Sequence, residues 1–266
     1  PLPTVIYDRC FGEAGRQEAE QVRELVPGFG CKVVNGPVKI TKTAAFETLA
    51  GEEDVQQYLP YTAPLSPTVL QGALERYSDL YVKPNALYKG KGVLRLTRAE
   101  EGWLLHTQEE GTRLLPDKRA VAETLQAMIG QDAYVIQEGL ALATYFGNRF
   151  DFRSLVQKDR RLQWVVTGLV ARLAPVGGTI TSPRSGGRIA RAEDVLRHAF
   201  PDRWEAVLGQ LTEASVKMAR KLDEKLGPCS DLGLDVGVLQ DGSVKRIEAN
   251  GKPLRVSLQR LRDPVI

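Results

Sequence analysis

The chain has 266 residues, 42% of them hydrophobic, 26% charged and 7% aromatic, a composition that excludes disordered and fibrous classes and suffices for a sizeable core. Thirty-six Lys and Arg against 33 Asp and Glu leave +3, too balanced to call for a nucleic acid, and no run reaches the roughly 18 apolar residues of a membrane span. Cys10, Cys31 and Cys229 lack C-x-x-C spacing and only His106 and His198 are present, so a disulfide framework, a thiolate zinc site and a histidine relay are all excluded.

A metal would have to rest on oxygen ligands, and a reducing cytoplasm suits the thiols best. The start, Pro1-Leu2-Pro3, has no basic region followed by an apolar run, which predicts a chain neither exported nor anchored.

In chain order, a strand at 4–8, a helix at 16–26 and a strand at Lys32–Val34 form a βαβ fragment. Helices at Thr41–Leu49 and Pro67–Tyr77 follow, separated by a loop carrying Pro60 and Pro64. Strands at Leu80–Lys83, Val93–Thr97 and Gly102–Thr107, with a helix at Lys118–Ile129 and a strand at Tyr134–Gln137, make a small α+β unit. Two long alternating strands, Asp151–Gln157 and Leu162–Leu173, begin a second sheet across the charged turn 158–161. A long helix carries Trp204, Leu211, Met218 and Leu222 on one stripe and stops at Gly227-Pro228. The last strands, Gly233–Leu239 and Val244–Asn250, flank the hairpin signal Asp241-Gly242.

A turn centred on Asp241-Gly242 sets Asp235 opposite Glu248, two carboxylates about 5 Å apart that repel unless a cation lies between them. Asn250 projects to the same face, and an Asp, a Glu and an Asn together suit Mg²⁺. A solvated hairpin face with unrelated polar groups fits the spacing equally well. Lys83 leads into a basic glycine turn containing Lys89, Gly90, Lys91 and Gly92, which suits a polyphosphate but also reads as an exposed hairpin turn. A symmetrical turn at 158–161 puts Arg153 and Arg172 on one face. Two guanidiniums there suit anionic oxygens, or else pair with Asp151 and Glu248. The loop Thr181–Arg188 reads as a linker or a substrate cover.

Taken in order, Lys83-Pro-Asn with Gly90-x-Gly92-Val, Gln137-Glu138-Gly139-Leu140, Asp151-x-Arg153, Gly168-x-x-x-Arg172, Gly233-x-Asp235 and Glu248-x-Asn250-x-Lys252-Pro253 resemble the ATP-grasp superfamily, and within it the YheC/YheD-like, endospore coat-associated family. The resemblance implies an α+β ATP-grasp fold: two α+β subdomains, 78–140 and 141–266, clamping ATP, preceded by a short α/β pre-domain at 1–77. It implies that Lys42 and Lys83 approach the α- and β-phosphates, that the turn with Lys89, Gly90 and Gly92 covers them, and that Gln137, Glu138, Gly139 and Leu140 run along the adenine edge. It further implies that Arg153 and Arg172 hold the γ-phosphate and acyl-phosphate as the catalytic pair, and that Asp235, Glu248 and Asn250 hold Mg²⁺.

The activity so implied is ATP- and Mg-dependent ligation of a small-molecule carboxylate to a nucleophile, an amine by preference, through an acyl-phosphate. It needs no protein nucleophile, in keeping with the few His and Cys. Expected with it are a cytoplasmic location with spore-coat association, and neither nucleic-acid binding nor membrane insertion. The rival readings are a coat-associated protein that binds ATP without turnover and a kinase-like transfer.

Overall fold

In a computed structural model of the chain, the residues described are 3–10, 15–35, 40–85, 92–175, 178, 181 and 186–261, without the side chains of residues 16 and 260. Lys89, Gly90 and Lys91, and residues 182–185 of the 181–188 loop, lie outside them. Strand β1 (Val5–Tyr7), helix α1 (Arg16–Leu25) and strand β2 (Lys32–Val34) form the βαβ fragment, with β1 and β2 parallel. Asn35 follows at φ 55°, a left-handed conformation asparagine tolerates better than most residues. Its buried Nδ2 donates to the Asp231 carbonyl at 2.8 Å, to Asp231 Oδ1 at 2.7 Å and to the Gly251 carbonyl at 2.7 Å, tying this unit to the far end of the chain.

Helices α2 (Lys42–Ala50) and α3 (Glu53–Gln56) come next. Thr41 caps α2, its Oγ1 accepting from the Ala44 N–H at 3.1 Å. Strand β3 (Thr62–Pro64), helix α4 (Pro67–Arg76), strands β4 (Asp79–Pro84), β5 (Leu94–Ala99), β6 (Gly102–Thr107) and β7 (Gly111–Leu115), helix α5 (Lys118–Ile129) and strand β8 (Tyr134–Glu138) complete the first half. Their strands make a six-stranded sheet in the order β3-β8-β4-β5-β6-β7. Leu70 and Leu74 of α4 and Val121 and Leu125 of α5 pack on Leu80, Val82 and Leu96. Alternation along β4 buries Leu80 and Val82 and turns Tyr81 and Lys83 the other way. Strands β3 and β7 have no counterpart in the sequence reading. The first is three residues ending in proline, and the second is exposed along four of its five residues, so neither shows an apolar period.

The second half is strands β9 (Thr144–Tyr145), β10 (Asn148–Lys158), β11 (Trp164–Leu173) and β12 (Arg188–Arg191), helices α6 (Ala192–Ala199) and α7 (Trp204–Leu226), strands β13 (Asp231–Val238) and β14 (Val244–Asn250), and helix α8 (Val256–Arg260). The sheet order is β12-β11-β10-β13-β14, with β9 on β10. Leu211, Met218 and Leu222 of α7 pack on Phe150, Phe152, Leu234 and Val236, so the alternate residues of those strands face away from α7. Strand β12 and helix α6 have no counterpart in the sequence reading; β12 has only four residues, while α6 buries Ala192, Val195 and Leu196 on one stripe that the reading passed over.

Both long hairpins use the same turn. Asp159 N donates to the Gln163 carbonyl at 2.9 Å with Leu162 at φ 60°, and Leu239 N donates to the Ser243 carbonyl at 2.8 Å with Gly242 at φ 82°. Next to the turns Lys158 pairs with Trp164 and Val238 with Val244, and one bulge in each hairpin then shifts the register. The shifts set Asp151 opposite Arg172 and Asp235 opposite Glu248. The expected facing of Asp235 and Glu248 is therefore present, but it comes from a longer turn plus a bulge rather than from a two-residue turn at Asp241-Gly242.

Leu162 is 74% exposed in a conformation that costs a side-chain-bearing residue roughly 1–2 kcal/mol. Leu162→Gly should raise unfolding free energy by about 1 kcal/mol, or the melting temperature by about 2–4 °C. Thermal melts of the two proteins check this; an unchanged or lower midpoint would count against it.

Candidate functional site

One face of the second sheet, opposite α7, gathers Asp151 and Arg153 from β10, Arg172 from β11, Asp235 from β13 and Glu248 and Asn250 from β14. The register places Asp151 beside Arg172, and Arg153 and Glu248 on either side of Asp235. Arg172 Nε lies 2.6 Å from Asp151 Oδ1 and its Nη2 2.8 Å from Oδ2, a bidentate pair, while Nη2 also reaches Asp235 Oδ2 at 3.0 Å. Arg153 meets the same carboxylate, Nε at 2.7 Å from Oδ1 and Nη2 at 3.3 Å from Oδ2. Thr181 Oγ1 donates to Asp151 Oδ2 at 2.5 Å.

Asp151, Arg172 and Asp235 are all buried. Burial pulls the Arg172 guanidinium down, but Asp151 and Asp235 outweigh it and hold Arg172 above its ordinary range. Gly233 makes room for this arrangement. A Cβ there would stand 2.7 Å from Pro253 Cβ and 2.8 Å from Arg153 Nη1.

The two lysines come from different elements. Lys42 opens α2 and stands 3.5 Å from Glu248 Oε1. That helix start is seated on the end of β4: Lys42 N donates to the Asn85 carbonyl at 3.2 Å and Thr43 N to Asn85 Oδ1 at 3.0 Å. Lys83 Nζ donates to Gln137 Oε1 at 2.5 Å, and Gln137 Nε2 donates to Thr62 Oγ1 at 3.0 Å. Burial lowers the Lys83 ammonium to about 8, with Glu248 opposing the shift and Lys42 and Arg246 adding to it.

The segment 137–140 lies along β4, where Gly139 N donates to the Asp79 carbonyl at 2.7 Å. Glu138 Oε1 accepts from Tyr61 N at 2.9 Å, so the side chains of Gln137 and Glu138 are both engaged with the protein's own groups. Gly92 sits against Pro84 and the Tyr134 hydroxyl.

Among the described residues there is no cluster of three or more His, Cys, Asp and Glu; a divalent cation would rest on two carboxylates and the Asn250 amide. The donors fit such an ion. Asp235 Oδ1 is buried with no hydrogen-bond partner, since the nearby Arg153 N–H is not directed at it, and carboxylate and amide oxygens are the hard donors Mg²⁺ takes.

Sequence reasoning named most of these residues, though Thr62, which accepts from Gln137, went unread. Thr181 was seen only as part of a loop. Gln137 was read as lining adenine, not as the acceptor for Lys83. Arg246, 2% exposed on β14, was missed, and its signal is a charge in a position paired with core Val236.

The family model described as YheC/D like ATP-grasp matches residues 30–265. The endospore coat-associated protein YheD of Bacillus subtilis (strain 168) is 26% identical over 96% of this chain and 58% of its own. YheC of the same organism, also named endospore coat-associated, is 24% identical over 98% of this chain and 73% of its own. The chain thus spans under two thirds of the YheD relative's length. Among solved structures, the D-alanine-D-alanine ligase from Coxiella burnetii superposes with a TM-score of 0.57 at 13% identity, over 95% of this chain and 60% of that one. The ATP-grasp ligase PsnB, complexed with a minimal precursor, superposes at 0.52 and 16% identity, over 95% and 71%. These likenesses show the fold: α+β, of ATP-grasp type.

Lys83 carries a pH signature. Its folded value near 8 lies below the 10.5 of an unfolded lysine, so the folded state binds fewer protons between those limits and is disfavoured below them. Lys83→Met should therefore be more stable than wild type at pH 7, and that advantage should shrink as pH rises from about 8 to 10.5. Urea unfolding of both proteins at pH 7, 9 and 10.5 gives the comparison; a constant difference would show that Lys83 titrates normally.

Proposed function

From the premise that the chain belongs to the YheC/D-like ATP-grasp family, we propose that it is an ATP- and Mg²⁺-dependent ligase joining a small-molecule carboxylate to an amine through an acyl-phosphate. The observation that carries the reading is the single sheet face on which Arg153 and Arg172 stand beside Asp235, Glu248 and Asn250, with Lys42 reaching Glu248 from α2. The ligase names of the superposed structures support the same reaction class.

In this reading ATP lies between the 78–140 and 141–266 units, behind the short 1–77 region. Lys42 and Lys83 neutralise its α- and β-phosphates, the turn carrying Lys89, Gly90 and Gly92 covers them, and the 137–140 segment follows the adenine edge. With Gln137 and Glu138 engaged elsewhere, that segment presents its backbone and Leu140. Arg153 and Arg172 hold the transferred phosphoryl group, each guanidinium exchanging part of its bond to Asp235 for a phosphate oxygen. Asp235, Glu248 and Asn250 would hold Mg²⁺, which supplies charge neutralisation on the phosphates.

The substrate carboxylate oxygen attacks the γ-phosphorus, the bond to the β,γ-bridging oxygen breaks, and ADP leaves with its electron pair. The amine then attacks the acyl carbon, phosphate departs, and the amine loses its proton. Positioning and electrostatics supply the acceleration. The names of the two Bacillus relatives favour a second reading, a coat-associated protein that binds ATP without turnover. They are also the basis for associating the protein with the spore coat, whereas its placement in the cytoplasm rests on the three unpaired thiols.

Three measurements test this. Screening ADP release against amino acids, small acids and peptides, with mass spectrometry of products, should reveal substrate-dependent turnover; Mg·ATP binding without it would favour the second reading. Lys83→Ala should weaken Mg·ATP by about 10- to 150-fold, the loss of one charge-assisted hydrogen bond. In Glu248→Gln, the rise in melting temperature on adding Mg·ATP should disappear while the ligand-free midpoint stays level or rises. A wild-type shift in that variant would remove Glu248 from the metal site.

A further inference from the structure

The face that carries Asp235 continues toward the start of β13, where Gly233 and Asp231 share it by alternation with Leu232 and Leu234, which pack in the α7 core. Asp231 is 1% exposed. Its Oδ2 accepts from the Tyr7 hydroxyl at 2.7 Å and from Arg9 Nη1 at 3.3 Å, and its Oδ1 from Asn35 Nδ2 at 2.7 Å. A second guanidinium approaches the same oxygen, but Arg255 Nη2 stops at 3.8 Å, beyond hydrogen-bond distance. Arg255 Nε is buried with no hydrogen-bond partner, while the side chain as a whole stays 39% exposed. The group is thus partly desolvated, turned toward the site face by Asp231, and open to an incoming molecule.

The charges at this end of the sheet do not balance. Among the described residues, Arg9, Arg23, Lys252 and Arg255 meet two carboxylates: Asp231 has Arg9 and Arg255, and Asp8 has Arg23 at 2.6 Å and Lys252 at 2.9 Å. Arg23 and Lys252 are held by Asp8, and Arg9 is fixed further by the Tyr7 hydroxyl at 2.7 Å and the Pro253 carbonyl at 2.9 Å. Arg255 has the long approach to Asp231 alone, and Asp231 Oδ2 already accepts from two other donors. The phosphoryl-holding arginines are close by. A Cβ at Gly233 would meet both Pro253 Cβ, at 2.7 Å, and Arg153 Nη1, at 2.8 Å, so Pro253 lies between Arg153 and the Arg9 guanidinium that bonds its carbonyl. A partly desolvated cation with unused donors, beside a second cation, favours an anion.

We propose that Arg255, seated beside Arg9, binds a second anionic group of the carboxylate substrate, so that the acid the ligase phosphorylates carries two anionic groups, one at Arg153 and Arg172 and the other at Arg255. This rests on the ligase reading above and narrows its substrate class from carboxylates in general to acids with a further carboxylate or phosphate. One carboxylate does not serve both places: Arg153 is bonded to Asp235 and Arg255 approaches Asp231, and four residues of extended strand set their Cα atoms about 13 Å apart. A planar fork of donors suits the paired oxygens of either group.

The test follows Mg·ATP-dependent ADP release by wild type, Arg255→Met and Arg255→Lys, with hydroxylamine as the common nucleophile and acids in matched pairs: L-glutamate and L-glutamine, L-aspartate and L-asparagine, L-phosphoserine and L-serine. Each pair differs by one anionic group, and the third distinguishes phosphate from carboxylate. In wild type the more anionic member of at least one pair should show a kcat/KM about 10- to 100-fold above its neutral mate, expressed in KM. Arg255→Met should erase that preference while Mg·ATP affinity and the ligand-free melting temperature stay at wild-type values, and Arg255→Lys should keep part of it. A preference that survives in Arg255→Met overturns the assignment, as does a variant that melts lower and slows both members of a pair alike, the mark of a purely structural arginine. If Arg255→Met does not fold, a full wild-type preference in Arg255→Lys overturns it instead. Wild type that releases ADP equally with both members of each pair keeps the ligase reading and overturns this one alone, whereas wild type that binds Mg·ATP and releases ADP with none of the six acids overturns both.

Discussion

Asp235 is bonded by two guanidiniums at once, Arg153 and Arg172, inside a sheet face that is almost closed to water. Buried charges are tolerable only when balanced and held in good geometry, and much of the surrounding architecture serves that requirement. Asp151 gives Arg172 a second, bidentate partner, so Arg172 stays in place even if Asp235 turns to another cation. Thr181 in turn donates to Asp151, and Gly233 leaves the space that the Arg153 guanidinium fills. Removing either arginine would leave a carboxylate undercompensated, which is why this group behaves as a unit rather than as four separate residues.

Register keeps the group together. Side chains alternate between faces, so a one-residue slip in either hairpin would send Arg172 or Asp235 into the α7 core. The turns alone give the wrong parity, and one bulge per hairpin corrects it. Arithmetic on the sequence reached the right opposition of Asp235 and Glu248 with a turn too short by design and no bulge, two departures that cancel.

What the sequence could not display was long-range or too short to have a period. Strands β3, β7, β9 and β12 are of that kind, while α7, with a stripe running through 23 residues, was plain; the stripe of α6 was legible but passed over. In the site, Lys83 was legible as a lysine on a strand before a glycine turn, but its acceptor Gln137 is 54 residues away and nothing local couples them. Glu138 looks like a free carboxylate in sequence and proves to be tied to the backbone of Tyr61. Lys42 was reached through family resemblance; its seat on Asn85 of the neighbouring sheet depends on tertiary packing.

The Asn35 amide has a mechanical consequence. It grips the Asp231 carbonyl, the Asp231 carboxylate and the Gly251 carbonyl, which sit where β13 begins and just after β14 ends. The βαβ fragment is therefore clamped to the two strands that carry Asp235, Glu248 and Asn250, and Arg9 adds a bond to the Pro253 carbonyl at 2.9 Å. The helix start at Lys42, fastened to Asn85 just past β4, gives the first sheet a tie of its own to the residue that reaches Glu248, so both sheets hold one ion pair in place.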